Sequence, residues 1–349
     1  MDAVRSGWVS SIGPYVDRLE ASIAALAGTP HAVAVSNGTV ALHLALMARG
    51  IGPGAEVIVP DLTFAATAAA VVHAGATPVL VDVQRETWCL DPELVERAIT
   101  PRTRAIIAVH LFGHPAEMNA LASIARRRGL FLIEDAAEAH GARFDGRPVG
   151  GIGDVGCFSF YGNKLVTTGE GGALTTHDPE YAARLRFLKD HAMRPERRYY
   201  HEEAGYNYRI TNLQAALGCA QLERFEQILA RKQALLSLYR RSCPREDIAL
   251  NPAVAPAQPV CWLVCALLPE ARKSSTAAVL ERMKAEHGVD SRPFFVPMHA
   301  LPPYAGATLI KKDRSVAAEL RERGVCLPSS NKLRDSDVSR VWAALSAYL

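Results

Sequence analysis

Two charged residues, Asp135 and Lys164, lie 29 positions apart in segments rich in small, apolar and hydroxyl-bearing residues. Asp135 comes at the predicted end of a strand that starts at Phe131 and is buried on both faces, and open α/β sheets bind ligands at such strand ends. An ionised aspartate there can pair with a pyridine nitrogen and keep a cofactor ring protonated. Lys164 stands in a loop rich in glycine and threonine. A desolvated lysine of lowered pKa can form a Schiff base with an aldehyde.

A third feature, the run Ser36–Thr39, suits a phosphate group. Here a short strand, His31–Val35, passes through Ser, Asn, Gly and Thr into an apolar helix that closes at Gly50. The first turn of a helix offers free N–H groups and a positive dipole end, although the same residues also suit an ordinary N-cap. A phosphate cup, an aspartate and a lysine in this order are the three handles that pyridoxal phosphate needs. Together they favour a cofactor site over separate structural roles.

The elements that must position these residues alternate between strand and helix from residue 31 to residue 133. This alternation predicts an α/β fold with a mainly parallel sheet and helices on both faces. A long helix, capped by Thr211 or Asn212, is predicted to reach about Arg240 and to join two domains. We therefore expect a large domain over residues 1–240 and a smaller α+β domain over residues 241–349.

Composition excludes several classes of protein. The chain of 349 residues has 39 basic and 36 acidic residues, a balance that argues against nucleic acid or an anionic membrane as the main partner. Its most apolar stretch, Leu62–Val83, is too interrupted to cross a membrane. The seven cysteines are odd in number and form no C-x-x-C pair, which indicates buried thiols in a reducing compartment. The N-terminus lacks the apolar core of a signal peptide, so we expect a cytoplasmic protein without a metal site.

Beyond these features, the sequence resembles the DegT/StrS-type sugar aminotransferases over nearly its whole length. These pyridoxal-phosphate enzymes have the aspartate-aminotransferase fold, with a large mainly parallel-sheet domain and a smaller α+β domain, and aminate nucleotide-linked ketosugars. The matching runs are SSIGPYV from Ser10, SNGTVALHLAL from Ser36, PDLTFAAT from Pro60, IEDAAEAHGA from Ile133, FSFYGNKLVTTGEGG from Phe158, GYNYRITNLQAA from Gly205 and RPFFVPMHALPPY from Arg292.

The resemblance implies roles for four residues around the cofactor ring. Lys164 corresponds to the lysine that binds the cofactor aldehyde, and Asp135 to the partner of the pyridine nitrogen. Glu138 corresponds to the residue that bonds the ring hydroxyl. Phe64 occupies the position whose ring stacks on the cofactor, although an aromatic residue there also suits a core.

The resemblance further implies a phosphate site made from two subunits. Ser159 is expected to hold the phosphate together with Gly38 and Thr39. Asn207 matches an asparagine that reaches the phosphate of the cofactor in the partner subunit, so a homodimer with shared active sites is implied. Arg209, two residues further on, is a candidate for a substrate carboxylate or phosphate, and a surface salt bridge is the alternative.

The implied substrates are L-glutamate and a nucleotide-linked sugar. Tyr161, His191, His299 and Tyr304 lie where the family contacts the sugar nucleotide, and each is also compatible with a structural role. The variants of these runs are most similar to members that convert GDP-4-keto-6-deoxymannose to GDP-perosamine, for O-antigen or other polysaccharide, with pyridoxamine phosphate formed during the cycle. A UDP- or dTDP-linked ketosugar is the alternative substrate.

Other functions remain as alternatives on the same scaffold. Related sugar 3-dehydratases have histidine in place of the lysine, so Lys164 argues against that activity. A non-catalytic regulator would tolerate Lys164 but transfer no amine, and a simple Rossmann protein is disfavoured because no G-x-G-x-x-G follows the first strand. Family members usually have a further segment before the SGWVSSIG run at Ser6, so the resemblance implies a misplaced start codon or a more open cleft.

Overall fold

The computed structural model describes residues 1–197, 199–272 and 274–349. Its helices are α1 (Asp2–Arg5), α2 (Pro14–Ala27), α3 (Gly38–Ala48), α4 (Ala66–His73), α5 (Pro92–Ala98), α6 (Met118–Arg128), α7 (Pro179–Lys189), α8 (Asn212–Leu222), α9 (Phe225–Arg241), α10 (Thr276–His287), α11 (Val316–Arg323) and α12 (Asp335–Ser346). Its strands are β1 (His31–Val35), β2 (Glu56–Pro60), β3 (Thr77–Val81), β4 (Thr103–Val109), β5 (Phe131–Asp135), β6 (Arg143–Phe144), β7 (Arg147–Pro148), β8 (Val155–Ser159), β9 (Gly172–Thr176), β10 (Ala249–Leu250), β11 (Ala257–Gln258), β12 (Val264–Leu267), β13 (Arg292–Pro293), β14 (Leu309–Ile310) and β15 (Gly324–Leu327).

The main sheet has eight strands in the order β1-β9-β8-β5-β4-β2-β3-β14. Every pairing from β8 to β14 is parallel, and β9 runs antiparallel to both of its neighbours. The predicted α/β fold with a mainly parallel sheet is therefore confirmed. Because parallel neighbours end at the same edge, β4, β5 and β8 deliver their last residues to one place.

Both faces of this sheet are buried, as the strand sequences require. Alternate residues such as Ile106 and Leu132 pack with α5 and α6 in one apolar cluster. Their neighbours Ile107 and Ile133 pack with α3, α4 and α7 in another. Continuous apolar strands such as EVIVP and TRAIIAV can be buried this way only when helices cover both faces.

Local sequence explains where the first helices begin and end. Pro14 occupies the first turn of α2, where its missing N–H costs nothing, and Gly28 ends that helix with a left-handed φ of 67°. At the start of α3 the side chain of Asn37 accepts the N–H of Val40 at 3.0 Å. The capping pattern at Ser36–Thr39 thus forms as expected, with Asn37 as the cap.

The predicted single helix over residues 211–240 is wrong, because the structure has two helices there. Thr211 caps α8, which ends at Leu222, and α9 starts at Phe225 after a non-helical Arg224. The break lets Phe225 pack against Gly141, where a Cβ would lie 2.7 Å from the ring. No glycine or proline lies between residues 219 and 225, so tertiary packing, rather than a local signal, ends the first helix.

The C-terminal third builds a second sheet, with strands in the order β10-β12-β15-β13. Residues of α9, α10 and α12 share one apolar cluster with this sheet, including Tyr239, Met283 and Trp342. Strand β14, from the same part of the chain, joins the edge of the main sheet beside β3. The domain boundary at residue 240 stays a prediction. Among the described residues no helix is long and apolar enough to span a bilayer.

Candidate active site

Lys164 lies in the loop between β8 and β9 with its side chain mostly buried. Its Nζ is 3.6 Å from Oε1 of Glu138 and 3.7 Å from the centroid of the Trp262 ring. Burial lowers the pKa of Lys164, whereas the charges of Glu138 and Asp135 oppose that shift. A lysine held in this way can release its proton more readily than a solvated one, which suits a nucleophile and a base.

Asp135 ends β5 and is buried at the same edge of the sheet. Its Oδ2 accepts a hydrogen bond from the Thr67 hydroxyl at 2.9 Å, and its Oδ1 accepts the N–H of Ala137 at 3.2 Å. Burial raises the pKa of Asp135, whereas those hydrogen bonds and the charge of Lys164 act in the opposite direction. A buried carboxylate with few partners is suited to receive a cation or an N–H from a ligand.

Behind Asp135 lies a buried pair, His110 and Glu134. The Nδ1 of His110 accepts the N–H of Ala116 at 3.0 Å, so its Nε2 carries the hydrogen that it donates to Glu134 at 3.0 Å. The N–H of His110 in turn bonds the carbonyl oxygen of Asp135 at 3.1 Å. The pair therefore fixes the backbone beside Asp135.

Glu134 also accepts hydrogen bonds from backbone N–H groups of the loop that precedes β8. Burial alone would raise the pKa of Glu134, but the hydrogen bond from His110 and those from backbone N–H groups outweigh it and lower the pKa. Sequence reasoning overlooked this pair, and the only available signal was an acidic residue inside a buried strand. The N–H donors come from Gly150, Ile152 and Gly153, at 2.7–2.9 Å.

Glu138 faces Lys164 from the segment after β5. Its Oε2 accepts the N–H of Phe112 at 2.8 Å, and Phe112 has a left-handed φ of 52°. Burial raises the pKa of Glu138, and the charge of Lys164 moves it in the opposite direction. The ring of Phe112 stacks on Trp262 with their centroids 6.2 Å apart. The strained Phe112 backbone thus aims its N–H at the carboxylate that meets the lysine.

The start of α3 and the end of β8 approach closely at Gly38. A Cβ on Gly38 would lie 2.7 Å from Cβ of Ser159, so only glycine allows this contact. The first N–H groups of a helix have no acceptor within the helix, and the Asn37 side chain accepts only that of Val40. The N–H groups of Gly38 and Thr39 are therefore available to an anion. Ser159 is nearly buried and presents its hydroxyl at the same junction.

Phe64 lies on the segment after β2, and two threonine hydroxyl groups of this part of the chain link it to Asp135. The hydroxyl of Thr63 meets that of Thr67 at 3.1 Å, and Thr67 bonds Asp135. The Phe64 ring is 57% exposed and tilted against Phe295, with centroids 5.7 Å apart. An exposed aromatic face anchored near Asp135 suits stacking on a ligand ring, which stays a prediction.

Two of the expected sugar contacts, His299 and Tyr304, lie next to the same segment. His299 bonds the buried Asp61 twice, through Nδ1 at 2.6 Å and its backbone N–H at 3.0 Å. Tyr304 is 6% exposed, and its hydroxyl donates to the Ala65 carbonyl oxygen at 3.4 Å. Its burial in an apolar cluster favours a packing role for Tyr304.

The remaining expected contacts lie at the outer rim. Arg209 donates to Oδ1 of Asp190 at 2.7 Å, to Oδ1 of Asn207 at 2.9 Å and approaches Nε2 of His191 at 3.2 Å. Asn207 is exposed. Tyr161, three positions before Lys164 in sequence, is half exposed. A hydrogen bond from the N–H of Ser36 to the carbonyl oxygen of Tyr208 at 2.9 Å ties this rim to the phosphate cup.

The donor set fits pyridoxal phosphate. Lys164 offers a desolvated amine for the aldehyde, Asp135 a buried acceptor for the pyridine nitrogen, and Glu138 an acceptor for the ring hydroxyl. The cradle that a Cβ on Gly38 would fill lies at the helix start where a phosphate binds. No group of histidine, cysteine and acidic residues in the described part of the chain could hold a metal ion.

Comparison with known proteins agrees with this geometry. The profile of the DegT/DnrJ/EryC1/StrS aminotransferase family matches residues 1–346. GDP-perosamine synthase of Caulobacter vibrioides is 44% identical over 351 residues, which cover 100% of this chain and 94% of that protein. The dTDP-3-amino-3,4,6-trideoxy-alpha-D-glucose transaminase of Streptomyces venezuelae is 40% identical, over 95% of this chain and 88% of its own. A crystal structure of S. venezuelae DesV in complex with a ketimine intermediate superposes with a TM-score of 0.90 at 39% identity, covering 99% of this chain and 92% of that one.

Proposed function

The chain belongs to the DegT/DnrJ/EryC1/StrS aminotransferase family, and on that premise we propose that it moves an amino group from L-glutamate to GDP-4-keto-6-deoxymannose, forming GDP-perosamine. It is a pyridoxal-phosphate-dependent sugar aminotransferase. One observation carries the assignment of roles: the desolvated amine of Lys164 is held beside Glu138, at the strand edge where Asp135 ends β5.

Lys164 carries the proton transfers of the proposed reaction. When bound, pyridoxal phosphate supplies an aldehyde that takes up the amino group and a ring that accepts electrons from the donor carbon. With the cofactor bound, Lys164 would be placed to remove the α-proton of glutamate, hold that proton on Nζ and give it up again as an acid. The lowered pKa of Lys164 favours the neutral amine that this step needs.

Asp135 and Glu138 set the charge around that step. Asp135 receives the pyridine N–H, and the hydrogen bond from Thr67 aims one of its oxygens. Glu138, fixed by the N–H of Phe112, accepts the ring hydroxyl and stabilises the ammonium form of Lys164 after it has taken a proton. The same three residues would serve both halves of the exchange, in which glutamate gives up its amino group and leaves as 2-oxoglutarate and the sugar ketone receives an amino group.

The proposed identity of the substrate's sugar and nucleotide is argued from the similar proteins. The 44% identity with a GDP-perosamine synthase across the whole chain favours a GDP-linked 4-keto-6-deoxysugar. The relative named as a dTDP-amino-sugar transaminase, at 40% identity, keeps a dTDP-linked ketosugar as the second candidate. In either case we propose that the aminated sugar enters a polysaccharide such as an O-antigen.

A panel of ketosugars tests this proposal. Purified enzyme is incubated with L-glutamate and, separately, GDP-, UDP- and dTDP-linked 4-keto-6-deoxysugars, and the products are analysed by mass. We expect a gain of amine mass with the GDP-linked sugar first. Amination of only the dTDP sugar would reject the perosamine assignment while leaving the aminotransferase assignment intact.

We further propose that the active enzyme is a homodimer in which Asn207 reaches the cofactor phosphate of the other subunit. Exposed apolar side chains near the start of α8, those of Leu213 and Leu217, support the dimer. The N-terminal segment is held by Asn212, which donates to the carbonyl oxygen of Trp8 at 2.6 Å. Trp8 and Ile12, on that segment, are more than half exposed, and exposed apolar side chains of this kind support an interface there.

The cellular location and the domain boundary complete the proposal. The seven cysteines are all free, which fits a reducing compartment and supports a cytoplasmic enzyme. The separate C-terminal sheet supports a division of the chain into two domains, for which we keep the boundary close to residue 240.

A further inference from the structure

Arg292, in β13, is an exposed arginine that forms no ion pair with the carboxylates in the described part of the chain. Its guanidinium instead lies over two aromatic rings, with Cζ 5.3 Å from the centroid of Trp262 and 5.5 Å from that of Phe295. An arginine packed on aromatic faces keeps the N–H groups at its edge free, and those groups match a planar carboxylate.

The position of Arg292 connects it to the reacting amine. Nζ of Lys164 also lies over the Trp262 ring, 3.7 Å from its centroid. Because Cζ of Arg292 is 5.3 Å from the Trp262 ring, Nζ of Lys164 and Cζ of Arg292 are at most 9.0 Å apart, the sum of these two distances. Burial lowers the pKa of Lys164, and the charge of Arg292 acts in the same direction. The charge of Arg292 also opposes the burial that raises the pKa of Glu138, but no carboxylate of the described residues forms an ion pair with the guanidinium, so its N–H edge is open to an anion that arrives with the substrate.

Arg209, the arginine that the sequence suggested for a substrate carboxylate, differs from Arg292 in this respect. Arg209 already has an anionic partner, Asp190, at 2.7 Å, and its other N–H groups bond Asn207. Binding a substrate carboxylate there would require breaking an existing ion pair. Arg292 needs no such exchange.

We propose that Arg292 binds the α-carboxylate of the amino-acid donor. This inference rests on the proposed function, in which the donor is glutamate. The α-carboxylate is attached to the carbon whose proton Lys164 removes, so a cation beside the lysine is where that group must be held. The diphosphate of a sugar nucleotide is separated from the reacting carbonyl by the whole sugar ring, which makes it the less suitable anion for Arg292.

Trp262 and Phe295 serve as the platform for this arginine. Phe295 stacks on Phe112 with centroids 5.5 Å apart, and Phe112 in turn holds Glu138 through its N–H. The carboxylate site and the acceptor opposite Lys164 therefore share one aromatic cluster. This arrangement keeps the donor carbon oriented relative to the base.

The test compares Arg292→Gln and Arg292→Lys with wild-type holoenzyme and with Arg126→Gln, which removes an exposed arginine from α6. The constants measured are kcat and KM for glutamate, the affinity for L-norvaline from the absorbance of bound cofactor, and the affinity for GDP from calorimetry. Norvaline has the α-carboxylate but no side-chain carboxylate. We expect Arg292→Gln to weaken glutamate and norvaline about 10- to 100-fold and to change GDP affinity less than about threefold.

The affinities of Arg292→Lys for glutamate and norvaline should fall between those of wild type and Arg292→Gln, because lysine keeps the charge without the paired N–H edge. Arg126→Gln should match wild type in all three measurements. Unchanged norvaline affinity in Arg292→Gln, or a loss confined to GDP, would overturn the inference. If wild-type enzyme itself transfers no amine from glutamate, the proposed function fails instead, and norvaline binding still decides whether Arg292 holds a carboxylate.

Discussion

The indole of Trp262 binds the backbone next to Lys164 and also contacts the lysine itself. Its Nε1 donates to the carbonyl oxygen of Asn163 at 2.9 Å, and its ring centroid is 3.7 Å from Lys164 Nζ. A residue almost a hundred positions away in sequence therefore holds the reactive loop through two contacts. The ring favours the ammonium form of the lysine, which is the form it takes after accepting the α-proton.

Trp262→Leu should slow proton removal, because both the ring and the N–H are lost. We expect a fall in kcat of about 3- to 30-fold, the range of a partly desolvated cation–π contact. Trp262→Phe keeps a ring and should lose less. The measurement is the rate of the glutamate half-reaction with a deuterium-labelled α-carbon. An isotope effect and rate equal to wild type in Trp262→Leu would show that this contact has no part in the step.

Lys164→Ala should abolish turnover, with a loss of at least about 10⁴-fold, because both the covalent anchor and the base are removed. The variant is still expected to bind pyridoxamine phosphate. Borohydride reduction followed by protein mass measurement should show a covalent cofactor on wild type and none on the variant. The surface variant Lys284→Ala serves as the control. Sustained transamination by Lys164→Ala would reject the role assigned to this lysine.

Asp135→Asn should separate activity from stability. Burial raises the pKa of Asp135 above its ordinary 3.8, so ionisation costs the cofactor-free protein stability as the pH rises above 3.8, and the cost is complete above the raised pKa. The variant should therefore unfold at the same or a higher temperature than wild type at pH 7, while its activity falls at least about tenfold. The stability difference should vanish as the pH approaches 3.8. A variant that unfolds well below wild type at pH 7 would contradict this reading.

Glu134→Gln should have the opposite pH dependence. The hydrogen bonds to Glu134 outweigh burial and hold its folded-state pKa below its ordinary value of 4.5, so its stabilising effect is complete above that pH and is lost as the pH falls through the lower pKa. We expect the variant to lose about 3 kcal/mol or more at pH 7, since its N–H donors and His110 lose a charged acceptor. Urea unfolding should show a constant gap between the two proteins from pH 7 down to about 4.5 and a shrinking gap below that pH, and a gap that stays constant below pH 4.5 would reject the assignment.

The fold was predictable from sequence because its signals are local. Apolar runs such as that from Phe131 recur between helical segments, and a cap such as Asn37 lies next to the helix that it starts. Lys164 and Asp135 were identifiable for the same reason, since each stands out in its own stretch, and the family resemblance assigned their roles.

The remainder of the site depends on contacts between distant segments. Thr67 meets Asp135 from helix α4, and Trp262 reaches Lys164 from the C-terminal third. Nothing near Arg292 in sequence indicates that it forms no ion pair among the described residues, whereas Arg209 pairs with Asp190. The break before Phe225 likewise follows from packing against Gly141 and not from any helix-breaking residue.

Leu213→Glu or Leu217→Glu should weaken the proposed dimer. Each change adds a charge to the exposed apolar surface of α8, where it would be buried by a second subunit. Sedimentation should show wild type as a dimer and the variants shifted toward monomer, with activity falling in parallel because Asn207 would no longer reach its partner's cofactor. The exposed variant Val72→Glu, on α4, is the control. A wild-type monomer with full activity would reject the shared site.

The most direct test of the central claim follows the nitrogen atom. Wild-type enzyme is incubated with pyridoxal phosphate, GDP-4-keto-6-deoxymannose and ¹⁵N-labelled L-glutamate, and the sugar nucleotide and the keto acid are analysed by mass. We predict that the sugar product carries the ¹⁵N amine, with one 2-oxoglutarate formed for each. A GDP-sugar that gains no amine, or an amine without the label, would contradict the proposed reaction.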